Sequence, residues 1–452
     1  MTTTAQQCIL NRTLVQTENY IKYNEKEYAS LDTILDFSIY GNTTSNPPPI
    51  TSNGAVIDTS KGCTISQDDV DKLIKFTFAY VEKIYLNDIN MSGFTKGKFT
   101  FGNLQKLRTL ELMNTNITND VLLYFLNKSP SIVELNLNNT SLKLLDLNPS
   151  QSTSAPGATT SPNNINLNSL KILKLNNTEI SSYNLNYILS KATNLEILYL
   201  VDSYKKSLST SFFDFSDLTN LKELYLYNVS NNNDQGIQID VLYTLLNKMS
   251  NLEVLILGGN NLNSKSSVNF KQLTKLDALI LDNTDISSDN LKTFLTNTPN
   301  IRTLGLRNNY YIDGDYIYKI TESFKNLTKL KNLDITREPD NTDQFMKLDA
   351  ITKIVDNIII PNTSIDTIAL PYVKDYDYAN MTVRKYNQVI ISIYKELNGE
   401  PEKTKEGFII YDQADKTAEI NNFRKGLNYT TMIVTAVLLI ICFMLFNYVK
   451  NM

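Results

Sequence analysis

LEVLILGGNNL, residues 252–262, decides how this chain folds. Its leucines stand at the first, fourth and sixth places, as Leu252, Leu255 and Leu257. A strand sends alternate side chains to opposite faces. Leu255 and Leu257 therefore enter a core together, and Ile256 between them is expected to face water. Two glycines end the strand and Asn260 follows. An isoleucine on the wet face needs a reason.

The spacing recurs along the chain. It reads VEKIYLNDINM from Val81, LRTLELMNTNI from Leu107, IVELNLNNTSL from Ile132, LKILKLNNTEI from Leu170 and LEILYLVDS from Leu195. It continues as LKELYLYNVS from Leu221, then LEVLILGGNNL, then LDALILDNTDI from Leu276. IRTLGLRNNYY from Ile301, LKNLDITRE from Leu330 and a degenerate IDTIALPYV from Ile365 complete the series. Most neighbours start 24 to 31 residues apart. Each copy offers one apolar row, such as Leu221, Leu224 and Leu226, which it cannot bury alone. Stacked copies bury a continuous core and pair their strands as a parallel sheet.

The eleven copies resemble the leucine-rich repeat, L-x-x-L-x-L-x-x-N-x-L, over about two thirds of the chain. The resemblance implies an α/β solenoid, a horseshoe with a parallel inner sheet and outer helices. It also implies that the ninth side chain bonds turn backbone along the stack. That place holds Asn260 and Asn309, and Thr115, Thr140, Thr178 and Thr284 in other copies. Val229 and Glu338 depart from the pattern, which predicts interruptions there. The family role is protein binding, with no particular ligand implied.

Helical return segments are expected at DVLLYFLN from Asp120, DVLYTLLNK from Asp240 and DNLKTFLT from Asp289. Each opens with Asp, which suits a helix start by capping and by charge. At ~4.8 Å per strand, eleven strands make a sheet about 50 Å long.

Five regions follow. Residues 1–60 are mixed in character, and 61–80 hold an amphipathic helix capping the core. Residues 81–375 are the repeats, with a loop insertion at 148–164. Residues 376–426 are a far cap and linker, VRKYNQVIISIYKEL being read as helical. Residues 427–449 carry no charge and include MIVTAVLLIICFMLFNYV. About 20 such residues cross a bilayer, so one C-terminal transmembrane helix is expected, anchoring the chain by its tail. Arg424 and Lys425 precede it and Lys450 follows, which favours repeats facing the cytosol on an internal membrane.

Composition narrows the chemistry. Net charge is −4, so no basic field exists for nucleic acid. There is no His, which removes His-dependent nucleophile systems and Cys/His zinc sites. No phosphate-binding glycine loop occurs. The acidic turn YIDGD at 311–315 reads as a solvated turn before it reads as a cation site. No enzyme and no cofactor is expected. Three cysteines, Cys8, Cys63 and Cys442, do not make a disulfide scaffold. Asn is abundant, which fits an AT-rich genome, and thirteen N-x-[ST] sequons occur. They matter only if the domain is lumenal, and an outward-facing recognition protein on a cell or virion is the alternative role.

The reason for Ile256 lies in its neighbours. The fifth place reads Tyr199, Tyr225, Ile256 and Ile280 in four adjacent copies, with Ile197 and Val254 at the third place and Tyr227 at the seventh. In-register strands set these in one column. Strand propensity alone accounts for Tyr and Ile. A contiguous apolar strip with a polar rim also fits a surface for a partner protein. The seven residues are the candidate partner-binding site.

Overall fold

The computed structural model describes residues 66–77, 79–140, 165–178, 180, 182–202, 218–228, 236–309, 312, 314–337, 346–371, 373 and 376, and five strands outside them. The expected insertion at 148–164 and membrane segment at 427–449 lie outside the described residues. Among the described residues no helix is long and apolar enough to cross a membrane.

β1 (Val15–Gln16), β2 (Tyr20–Tyr23) and β3 (Lys26–Ala29) form a small antiparallel sheet. β4 (Ile34–Asp36) opens the large sheet, followed by β5 (Lys83–Tyr85), β6 (Thr109–Glu111), β7 (Glu134–Asn136) and β8 (Ile172–Lys174). Then come β9 (Ile197–Tyr199), β10 (Glu223–Tyr225), β11 (Val254–Ile256) and β12 (Ala278–Ile280). β13 (Thr303–Gly305), β14 (Asn332–Asp334), β15 (Thr367–Pro371) and β16 (Ile390–Tyr394) finish it. The thirteen strands lie in chain order and every pair is parallel. Only a repeated strand-and-return path gives that order.

The core follows the spacing. All three apolar places of all eleven copies are buried, none above 2% exposed. Helices return the chain on the core side: α1 (Gln67–Thr77), α2 (Asn119–Lys128), α3 (Ser182–Lys191), α4 (Ile239–Leu246), α5 (Ser288–Asn297), α6 (Gly314–Lys325) and α7 (Leu348–Ile354). The path after β11 has no helix. There Phe270 packs between Tyr243 of α4 and Phe294 of α5, its ring tilted against both.

Three expectations need correction. VRKYNQVIISIYKEL was read as helical, yet Ile390–Tyr394 is a strand paired with β15. The run QVIISIY is β-branched and aromatic, and an open sheet edge outweighs its weak helical period. α1 was expected to cap the end of the stack. It buries Val70, Leu73 and Ile74 as expected, but β4 pairs beyond β5, so α1 is a return segment between two strands. Asp120, Asp240 and Asp289 sit inside the first turns of their helices rather than at the caps. Ser287 caps α5 by accepting from Asn290 N at 3.3 Å. The charge argument for these aspartates stands; the capping argument does not.

Candidate protein-binding face

The register builds the candidate site. Tyr199 pairs with Tyr225, Tyr225 with Ile256, and Ile256 with Ile280, so the fifth places form one row. Leu224, Leu255 and Leu279 alternate with that row and enter the core. The row therefore stands on the opposite face of the sheet. There Tyr199, Val201, Tyr225 and Ile256 make a second apolar cluster, separate from the core. Ile172, Ile197, Tyr227, Val254 and Ile280 pack around it, half-buried. All seven residues of the expected site are thus brought together.

Their exposure is not as expected. Ile256 was placed towards water, yet it is only 2% exposed, and Tyr225 matches it. Side chains of one row stand about 4.8 Å apart, so a bulky residue between two others keeps little contact with water. The Tyr199 and Tyr225 rings stack at 4.2 Å with 17° between planes. The accessible atoms of the patch belong to its half-buried margin. Alternation along one strand gives the face of a residue, while its exposure depends on the two adjacent strands.

Val201 and Ile172 are cluster members missing from the expected site. Both sit at the seventh or third place of their copies, the same alternation read two places away. Glycine shapes the margin at 258. A Cβ there would meet the Tyr227 ring at 2.3 Å, so Gly258 is the seat on which that ring lies. Gly259 has φ +72, and a Cβ on it would meet the Asn228 carbonyl oxygen at 1.7 Å. Side chains disfavour that conformation, and here the space is closed as well.

The patch holds one acidic side chain, Glu223, which lies in register between Ile197 and Val254. Burial, then the charge of Glu223, pushes the Tyr199 phenol up to about 12. Burial pushes Tyr225 higher, and its hydroxyl donates to Glu223 Oε2 at 2.8 Å. Both phenols stay protonated at neutral pH. The N-terminal flank is polar: Lys174 pairs with Glu134 at 2.6 Å, and Asn87 donates to Glu111 at 2.8 Å. Gly305 and Asp334 continue the row on the other flank. Five strands by five residues make a patch of roughly 20 Å by 13 Å, or about 250–300 Å². That is the size of an interface centre, a standard partner face being about 800 Å².

A different strip runs along the N-terminal ends of the strands. A groove of about 420 Å³ is lined there by Lys171, Glu196, Lys222, Asn220 and Asn251 among others. Lys171 and Lys222 both pair with Glu196, at 2.6 and 2.7 Å, and hold its carboxyl below the usual range. Lys275 in the same groove donates to Asn251 Oδ1 at 2.7 Å.

Asparagine carries the turns. The eighth place of the copies takes a left-handed backbone at Asp88, Asn114, Asn139, Asn177, Asp202, Gly259, Asn283 and Asn308. Asn and Asp tolerate that conformation and Gly is free in it. Four of these side chains bond in one row: Asn114 donates to Asp88 at 2.7 Å, Asn139 to Asn114 at 2.7 Å and Asn177 to Asn139 at 2.9 Å. Of the ninth-place residues, Asn260 and Asn309 reach the neighbouring copy as the resemblance implied, whereas Thr115 and Thr140 bond within their own copy. Asn260 donates to Leu226 O at 2.6 Å and Leu257 O at 2.7 Å, joining two copies. Thr115, Thr140 and Thr284 each donate to a carbonyl of their own copy. No protein-family model matches the sequence, and no curated protein matches it.

Proposed function

We propose that this chain is a membrane-anchored leucine-rich-repeat protein that binds a partner protein through the open face of its sheet. It is a non-catalytic scaffold or recruitment factor. The observation that carries the reading is the second apolar cluster. It stands on the sheet face opposite the core and is centred on Tyr225 and Ile256. An apolar cluster on the sheet face away from the core fits a binding site, and Tyr is a frequent anchor at interfaces. Geometry adds to the reading. Strands stack at ~4.8 Å while packed helices need ~8–10 Å. An array with helices on one side therefore bends around its sheet, as in a horseshoe, and turns the patch into the concave wall. The apolar run at 427–449 supplies the anchor. The second reading is an outward-facing recognition protein using the same face; occupied sequons and a Cys8 to Cys63 bridge would favour it.

The test uses margin residues. Ile280 and Val254 are half-buried, so charge there is tolerated by the fold better than at Ile256. Full-length chain carrying Ile280→Glu and Val254→Lys should keep its thermal unfolding within a few degrees and lose its co-purifying partner. Capture of the same partner by the folded variant would defeat the proposal.

A further inference from the structure

The thirteen sequons take on meaning once the fold is known. Nine fall on described residues, and their acceptor side chains are not on the surface as a set. Asn138, Asn176, Asn228 and Asn362 are buried, at 0%, 6%, 4% and 7% exposure. Asn138 Oδ1 accepts from Asn176 N at 2.8 Å, and Asn176 Oδ1 accepts from Val201 N at 2.9 Å. These two amides tie β7, β8 and β9 together where the strands end. Asn362 Nδ2 donates to Leu327 O at 3.2 Å, and its Oδ1 accepts from Ser364 Oγ at 2.7 Å. By contrast Asn127 and Asn326 are exposed.

N-glycosylation acts on the sequon motif, and it acts while the chain is still being translocated and unfolded. A lipid-linked oligosaccharide gives its sugar C1 to the Asn Nδ2. The amide loses one hydrogen, and the lipid pyrophosphate leaves. A sugar on Asn138 Nδ2 has no room, since that nitrogen is fully enclosed. On Asn362 it would replace a donor that the fold uses. Glycans are bulky and belong on surfaces.

We infer that N-glycosylation and folding of this repeat array exclude each other, so the array folds in a compartment without oligosaccharide transfer. The inference does not rest on partner binding. It chooses the cytosolic face for the repeats over the outward-facing role.

The experiment routes the full chain into microsomes behind an added cleavable signal sequence, with and without an inhibitor of lipid-linked oligosaccharide synthesis. Limited proteolysis after mild detergent reads the fold, and mass spectrometry after glycosidase reads each Asn. Without inhibitor the lumenal chain should carry sugar on several of the four buried asparagines and give no resistant core. With inhibitor the core should match that of the chain translated without microsomes. A resistant core from the uninhibited lumenal chain would overturn the inference, whether the four sites are modified or skipped. So would absence of the core when sugar addition is blocked.

Discussion

Asn260 is where the account of the stack can be tested most sharply. Its side chain is fully buried. Nδ2 donates to Leu226 O at 2.6 Å and Leu257 O at 2.7 Å, and Oδ1 accepts from Ile237 N at 3.0 Å. Asn260→Ala takes the side-chain donor from Leu226 O and the acceptor from Ile237 N, while Leu257 O keeps the backbone N–H of residue 260 at 3.3 Å. A buried group left unpaired costs about 1–3 kcal/mol. Relaxation and entering water recover part of that, so the expected loss for two such groups is about 2–4 kcal/mol. Asn260→Thr installs the residue that positions 115, 140, 178 and 284 carry. It keeps the bond to its own copy and loses the two that reach across, for about 2–3 kcal/mol. Asn260→Asp is nearly isosteric but turns a donor into an anion facing two carbonyl oxygens. Its folded pKa must lie above the unfolded value, so stability is lost as pH rises through that window and regained on acidification. The assay is urea unfolding of the full chain in detergent, followed by far-ultraviolet circular dichroism at pH 7 and pH 5. An Asn260→Ala variant within about 1 kcal/mol of wild type would refute the reasoning.

Three further outcomes are expected. Gly258→Ala should push the Tyr227 ring off its seat and weaken partner binding at least several-fold with modest change in stability; Gly259→Ala should destabilise by about 2 kcal/mol or more, because the chain itself is in the way. Isothermal binding and thermal unfolding of the two variants separate these effects. Asp88 ends the amide row with a carboxyl that burial raises above its usual range. Its contribution therefore becomes less favourable as pH rises from the ordinary carboxylate value through the folded one, and Asp88→Asn should flatten that slope while keeping the acceptor for Asn114. Glu196→Gln should change stability by no more than about 1 kcal/mol, since its partners Lys171 and Lys222 are half in water; a larger loss in urea titration would show that the charged row is structural.

Much of this architecture was readable from residues alone. The places of Leu252, Leu255 and Leu257 predict burial, and the repeat spacing predicts the register that aligns Tyr199, Tyr225, Ile256 and Ile280. What escaped were effects that need two or more copies at once. Ile256 is buried by what stands beside it, which no single strand reveals. The asparagines at 114, 139 and 177 look like genomic bias in the sequence, whereas each holds a left-handed turn and bonds its neighbour about 25 to 38 residues away. β16 was missed because edge pairing, not local propensity, decides its conformation. Asp240 was read as a cap, yet it accepts from Ser266 and Ser267 of the following return segment.

The central claim is that a partner protein sits on the patch around Ile280. A photo-crosslinking amino acid placed at 280 in the full chain, in cells, tests it directly. The control site is 318, where Tyr318 on α6 is 85% exposed on the far side of the core. A discrete crosslinked protein from position 280, absent from 318 and lost when Val254→Lys is added, is the predicted result. No product from 280, or the same products from both sites, would contradict the account.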